Sequence, residues 1–229
     1  MYAKPLRTSL KVLKNAGVDC VIVGELALSY YNVGCVLHDI EVCVSSSKLS
    51  SAEQALDSSP LFRRVPPSSP GAHAEYTRGC PRFVEKYADE PQIVLLSDEK
   101  IEKPDALGQE AHGRDAYYSL EILDYLTGED ITQTPIPTLP SLLRYLCLLS
   151  FSSGDPVHRT RMEQLVDGMN IDNEWCKENL PDHLHAQYVM NLVDGKRDRM
   201  GDSSGNFVTR YIAALQMAES VTRIPGYRI

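Results

Sequence analysis

The chain has 229 residues, with 23 Lys and Arg against 31 Asp and Glu and a formal net charge of −8. Apolar residues make up 43 % and charged residues 24 %, a globular balance that excludes a wholly disordered, coiled-coil or collagenous chain. No apolar run approaches the ~20 residues that cross a bilayer, and the acidic balance argues against a general nucleic-acid binder while leaving room for a local basic patch.

The opening MYAKPLRTSL lacks the apolar stretch of a secretory signal. The six cysteines form no Cys-x-x-Cys pair, and three of them sit in apolar runs where a reduced thiol behaves as a small hydrophobe. A reducing, cytoplasmic setting with no membrane partner is the expectation.

Residues 6–16 predict a helix, with Leu6, Leu10 and Leu13 at helical spacing. Gly17 is placed to end it in a left-handed conformation. Residues 19–23 predict a short apolar strand, and Gly24 opens a short helix through Tyr31. Residues 36–44 are the best strand of the chain, rich in Val and Ile with period two. A surface helix is expected over 48–57, then the loop RRVPPSSPGAH. Strand-like runs follow at 74–77, 82–87 and 92–97, with a weaker one at 118–124, and their short connections predict antiparallel pairing. The segment ITQTPIPTLP reads as a linker. Beyond it the pattern is helical, with Thr138, Asp155, Asp172 and Asp182 as caps, Pro156 in a first turn, and a last helix over 207–222. The predicted fold is α/β (α+β), a small mixed sheet with flanking helices, divided into an α/β domain at 1–130 and a helical domain at 138–229.

One stretch carries a chemical idea: strand, glycine turn, short helix, turn, strand over residues 21–44. Period two puts Asp39 and Glu41 on one strand face with Cys43, and Ile40, Val42 and Val44 on the other. Two adjacent carboxylates repel, and a cation between them resolves the repulsion. All-oxygen ligation of this kind suits Mg²⁺ together with substrate phosphates. The glycine turn at Gly24 offers backbone N–H groups to a phosphate. The same carboxylates also suit a plain solvated strand face.

This order resembles the nucleotidyltransferase fold, in its small-substrate and AbiEii-toxin-like branch. Gly24, then Tyr30 or Tyr31, then Asp39 and Glu41 follow the family's order of a glycine-ended strand, a helix with a tyrosine and an Asp-x-Asp or Asp-x-Glu strand. The resemblance implies a nucleotide-binding transferase. Asp39 and Glu41 would be the catalytic metal-binding pair, Mg²⁺ the cofactor, and Gly24 and Ser29 the phosphate contacts. The substrates would be a nucleoside triphosphate and a hydroxyl acceptor.

Three departures from the family pattern point to an eroded site. Glu25 stands where a second small residue is expected, and its charge opposes a triphosphate. Gly34-Cys-Val-Leu37 lacks the usual basic residue. Val94 falls where a third carboxylate is expected, with Asp98 four residues beyond. Loss of that acid removes transition-state stabilisation on the scale of one catalytic donor, ~3 kcal/mol. The departures favour weakened or lost transfer. The alternatives are a non-catalytic scaffold or regulatory protein partner that keeps the fold, or a pocket reused for other small-molecule chemistry. His38 points to the opposite strand face and reads as a packed or hydrogen-bonded residue. His158, Arg159 and Arg161 read as a solvated helix face in preference to phosphate ligands.

Overall fold

Leu6 and Leu13, one helical repeat apart, are both fully buried, and they anchor α1 (Ala3–Asn15). Gly17, at φ +67°, turns the chain out of it as expected. The computed structural model describes residues 2–66, 72–98, 117–119, 121–169, 171–196 and 211–213. Over these the protein is mixed α/β. Five strands, β1 (Cys20–Val23), β2 (Ile40–Val44), β3 (Phe62–Val65), β4 (Arg82–Glu85) and β5 (Ile93–Ser97), form one sheet in the order β1-β2-β5-β4-β3. The β2–β5 pair is parallel, and the β1–β2, β4–β5 and β3–β4 pairs are antiparallel. Every residue of β2 is buried, so both faces of the sheet are covered at its centre. α2 (Gly24–Tyr30) follows β1 directly, and α3 (Ser46–Ser58) follows β2.

The strand predicted over 36–44 is shorter, at Ile40–Val44. Its neighbour β1 ends at Val23, opposite Glu41, where the chain turns into α2. Residues 36–39 therefore have no partner strand on that side. Side chains satisfy their backbone instead. The Leu37 amide donates to the Tyr125 hydroxyl at 3.4 Å, the Tyr2 hydroxyl donates to the Leu37 carbonyl at 2.5 Å, and Glu25 accepts from the His38 amide at 2.8 Å. The run at 74–77 forms a 3₁₀ helix, Ala72–Thr77, in place of a strand. β3 overlaps the start of the segment read as a loop, at 63–65. It is an edge strand whose central arginines face outward to Asp57, Glu53 and Asp89.

The proline-rich segment is no free linker. It contains part of α4 (Gly128–Gln133), which Thr127 and Asp130 cap reciprocally, and then runs along the outer edge of β1, where the Ile22 amide donates to the Pro135 carbonyl at 2.8 Å. The helices beyond are α5 (Leu139–Ser153), α6 (Pro156–Gly168), α7 (Asn173–Asn179) and α8 (His183–Asp194). Each is capped by its predicted residue. Thr138 accepts from the Ser141 amide, Asp155 from Val157, Asp172 from Trp175, and Asp182 from Leu184 and His185. Such caps each contribute about 1 kcal/mol. Within the span expected as a last helix, residues Tyr211–Ala213 form a strand, β7, paired with β6 (Tyr117–Ser119); the rest of 207–222 lies outside the described residues. One continuous apolar core joins Leu6, Ile22 and Val42 of the α/β half to Leu146, Met162 and Val189 of the helical half. No helix of the described residues is long and apolar enough to cross a membrane.

Candidate functional site

Gly24 begins the site. Its φ is +64°, and a Cβ there would stand 2.4 Å from the Glu41 carboxyl carbon and from Oε1. Only glycine tolerates both the left-handed backbone and that approach. The glycine after β1 thus makes space for the Glu41 side chain. Glu41 is 5 % exposed. It pairs across the sheet with Val23 on one side and Val94 on the other, and Val94 in turn pairs with Arg82. Residues in register share a sheet face, so Glu41, Val94 and Arg82 form one row. The position read from the sequence as lacking a third carboxylate is therefore directly beside Glu41, and the next strand supplies an arginine.

Arg82 is 4 % exposed. Its guanidinium Nη1 lies 2.8 Å from Asp39 Oδ2 and 3.0 Å from Gln92 Oε1, while Nη2 donates to Thr77 Oγ1 at 2.6 Å. Asp39 is thus in an ion pair whose cation is fixed by two further hydrogen bonds.

Glu41 has a second cation near it. Arg161 of α6 donates from Nη1 to the Tyr76 hydroxyl at 2.6 Å, and Tyr76 donates to Glu41 Oε1 in a short hydrogen bond. Arg161 Nη2 stands 4.0 Å from Glu41 Oε1 and 3.8 Å from Glu25 Oε1. Glu25 also accepts from the His38 amide and lies 3.0 Å from His38 Nδ1. Tyr76 and Arg161 therefore join Glu41 to Glu25 and His38 between the sheet and α6, beside the Arg82–Asp39 pair. Glu41 Oε2 is buried and has no hydrogen-bond partner among the described residues.

Burial pushes the Glu41 carboxyl above its ordinary value, against the pull of Arg161 and Tyr76. Burial also raises Tyr76, and the adjacent Glu41 raises it further. Burial disfavours the Arg161 charge, yet Tyr76, Glu41 and Glu25 together hold its guanidinium above the usual value. Beside them His158 is fully buried, its ring edge-on to Tyr76 at 4.8 Å, and neither ring nitrogen has a hydrogen-bond partner among the described residues. Burial, then the Arg161 charge, lowers its pKa to about 4.

The predicted site residues are not all assembled alike. Gly24, Asp39 and Glu41 lie together. Ser29 is fully buried, and its hydroxyl is 3.3 Å from Cys35 Sγ, which itself donates to the Glu25 carbonyl. Asp98 is committed elsewhere, its carboxylate accepting from the Ser46 amide at the start of α3 at 2.6 Å. The expectation of a solvated face at the start of α6 holds for Arg159, which pairs with Glu163 at 3.0 Å. It fails for His158 and Arg161, which turn inward. Sequence reading missed Arg82, Tyr76 and Thr77. The one signal available for Arg82 is a lone charge between Pro81 and the apolar pair Phe83 and Val84.

Among the described residues no three histidine, cysteine or carboxylate side chains converge as a ready cage for a metal ion. Comparison of the sequence with protein-family models and with curated proteins returns no match.

Proposed function

We propose that the chain is a nucleotidyltransferase-like protein in which the Asp-x-Glu carboxylates hold arginines in place of Mg²⁺, and that it works as a non-catalytic binding or regulatory partner. The Arg82–Asp39 pair carries this reading. A divalent cation between Asp39 and Glu41 would meet the guanidinium of Arg82 on one side and that of Arg161 on the other. Like charges at that range disfavour its binding. Val94 offers it no oxygen, and Glu25 sets a further negative charge beside Gly24, where a triphosphate would approach. Nucleotidyl transfer needs both the attacking and the leaving oxygen stabilised, and this donor set does neither. In this reading Gly24 gives room to Glu41, and Ser29 is a packing residue.

One observation favours a second reading, retained binding of an Mg²⁺–nucleotide. The unpartnered Glu41 Oε2 is a buried acceptor in want of a cation or donor. There Asp39 and Glu41 would hold the metal, and Gly24 would contact phosphate.

Calorimetric titration with ATP, GTP, CTP and UTP, each with and without Mg²⁺, on wild type and Asp39→Ala, separates the two. The expected result is no Mg²⁺-dependent binding at millimolar nucleotide. Mg²⁺-dependent heat that disappears in Asp39→Ala would overturn the non-catalytic reading.

A further inference from the structure

A second candidate site lies apart from the carboxylate network. A cleft of about 600 Å³ opens between α1 and α4, lined by Arg7, Leu10, Lys11, Lys14, Asp130 and Gln133. Its charge originates in α1, whose sequence AKPLRTSLKVLKN holds four cations and no carboxylate. Lys4, Arg7, Lys11 and Lys14 follow one another at steps of three and four, which places them on one helix stripe. Their surroundings then distinguish them. Lys4 pairs with Glu85 at 3.2 Å, and Arg7 pairs with Asp130 at 3.2 Å.

Asp130 can do nothing more for the cleft. Its Oδ2 accepts from the Thr127 amide at 3.2 Å and from the Thr127 hydroxyl at 2.6 Å, closing the α4 cap. Lys11 and Lys14 have no ion-pair partner among the described residues, and both are exposed. On a chain of net charge −8, two neighbouring unbalanced ammonium groups over half-buried Leu10, beside the Gln133 amide, form a local reversal of sign.

We propose that this cleft binds a compact phosphorylated small molecule. Two adjacent cations match a ligand with two or more negative charges close together, because a monoanion would leave one ammonium unbalanced. Leu10 provides an apolar contact for the ligand's uncharged part, and Gln133 an amide for its oxygens. An extended polyanion such as nucleic acid needs a longer basic track than Lys11 and Lys14 provide.

The probe is inorganic pyrophosphate, titrated into the full chain at constant ionic strength and followed by thermal unfolding. A saturable rise in midpoint is expected, absent with sodium chloride at matched ionic strength. Lys11→Glu with Lys14→Glu is expected to weaken the apparent affinity at least about tenfold, since each reversal turns a modest attraction into a repulsion. Lys48→Glu makes the same kind of charge change on an exposed site of α3 and should leave binding intact. Amide shifts on the wild-type chain should centre on Lys11, Lys14 and Gln133. If the double glutamate variant fails to fold, Lys11→Gln with Lys14→Gln replaces it. No saturable rise, equal weakening by Lys48→Glu, or amide shifts centred elsewhere would overturn the proposal. Asp39→Ala should leave pyrophosphate binding unchanged, so this result stands or falls separately from the nucleotide titration.

Discussion

At the scale of single residues, Glu41 and His158 are two buried titratable groups that respond to pH in opposite directions. Burial lowers the His158 pKa from 6.5 to about 4. The unfolded chain therefore takes up the proton first. The neutral histidine's contribution to stability is complete above pH 6.5 and is lost as the pH falls toward 4. Burial raises Glu41, so its contribution is complete below the ordinary carboxyl pKa and is lost as the pH rises through the shifted value. Urea unfolding across this range should show wild type losing stability relative to His158→Leu as the pH falls from 6.5 toward 4. Wild type should lose stability relative to Glu41→Gln as the pH rises. Equal differences at every pH would show that neither group titrates as its surroundings require. Glu25 was legible in the sequence because it follows Gly24 in a short motif, and Val94 because the apolar run at 92–96 holds no carboxylate. Arg161 was not, because one turn of helix with Arg159 and Arg161 looks the same whether it faces water or a buried carboxylate.

At the scale of elements, α6 meets the turn after α2 backbone to backbone. Asn32, at φ +63°, donates from Nδ2 to the Gly168 carbonyl at 2.7 Å and accepts from the Ser119 hydroxyl at 3.2 Å. A Cβ on Gly168 would stand 2.6 Å from the Asn32 carbonyl oxygen. Neither atom is the end of a flexible side chain, so the elements themselves must separate. Gly168→Ala should therefore destabilise the chain by about 1–3 kcal/mol, read as a lower urea midpoint at unchanged slope. An unchanged midpoint would mean that α6 is free to slide. The caps of α5, α6, α7 and α8 were legible because a cap is chemistry between residues two or three apart. The 3₁₀ helix over Ala72–Thr77 and the strand β3 were not. The first is a short run whose role is to bring Tyr76 and Thr77 to Glu41 and Arg82, and the second is an edge strand with two outward arginines that break the apolar alternation.

At the scale of the whole molecule, the proline-rich segment marks a change of composition. The apolar core is continuous across it, and Arg161 reaches from the helical half to within 4.0 Å of Glu41 in the sheet. A fragment ending at residue 137 would expose the core contacts of α5 and α6 and leave Glu41 without its nearest guanidinium. It should show no cooperative urea transition, whereas the full chain should show one. A cooperative transition in the fragment would establish that the α/β half folds alone. The coarse architecture was readable because hydrophobic period and turn residues act locally. The contact between the halves was not, because it depends on which faces meet after both have formed. The two margins of the sheet have a consequence of another kind. At one, the backbone of the 128–138 segment takes up the outward Ile22 amide of β1; at the other, β3 presents Arg63 and Arg64, each held by acidic neighbours. An open row of amides and carbonyls is the usual template for chain-to-chain sheet growth, and covering it or charging it prevents that growth. Aggregation by strand addition is thus opposed by a covering segment at one margin and by charge at the other.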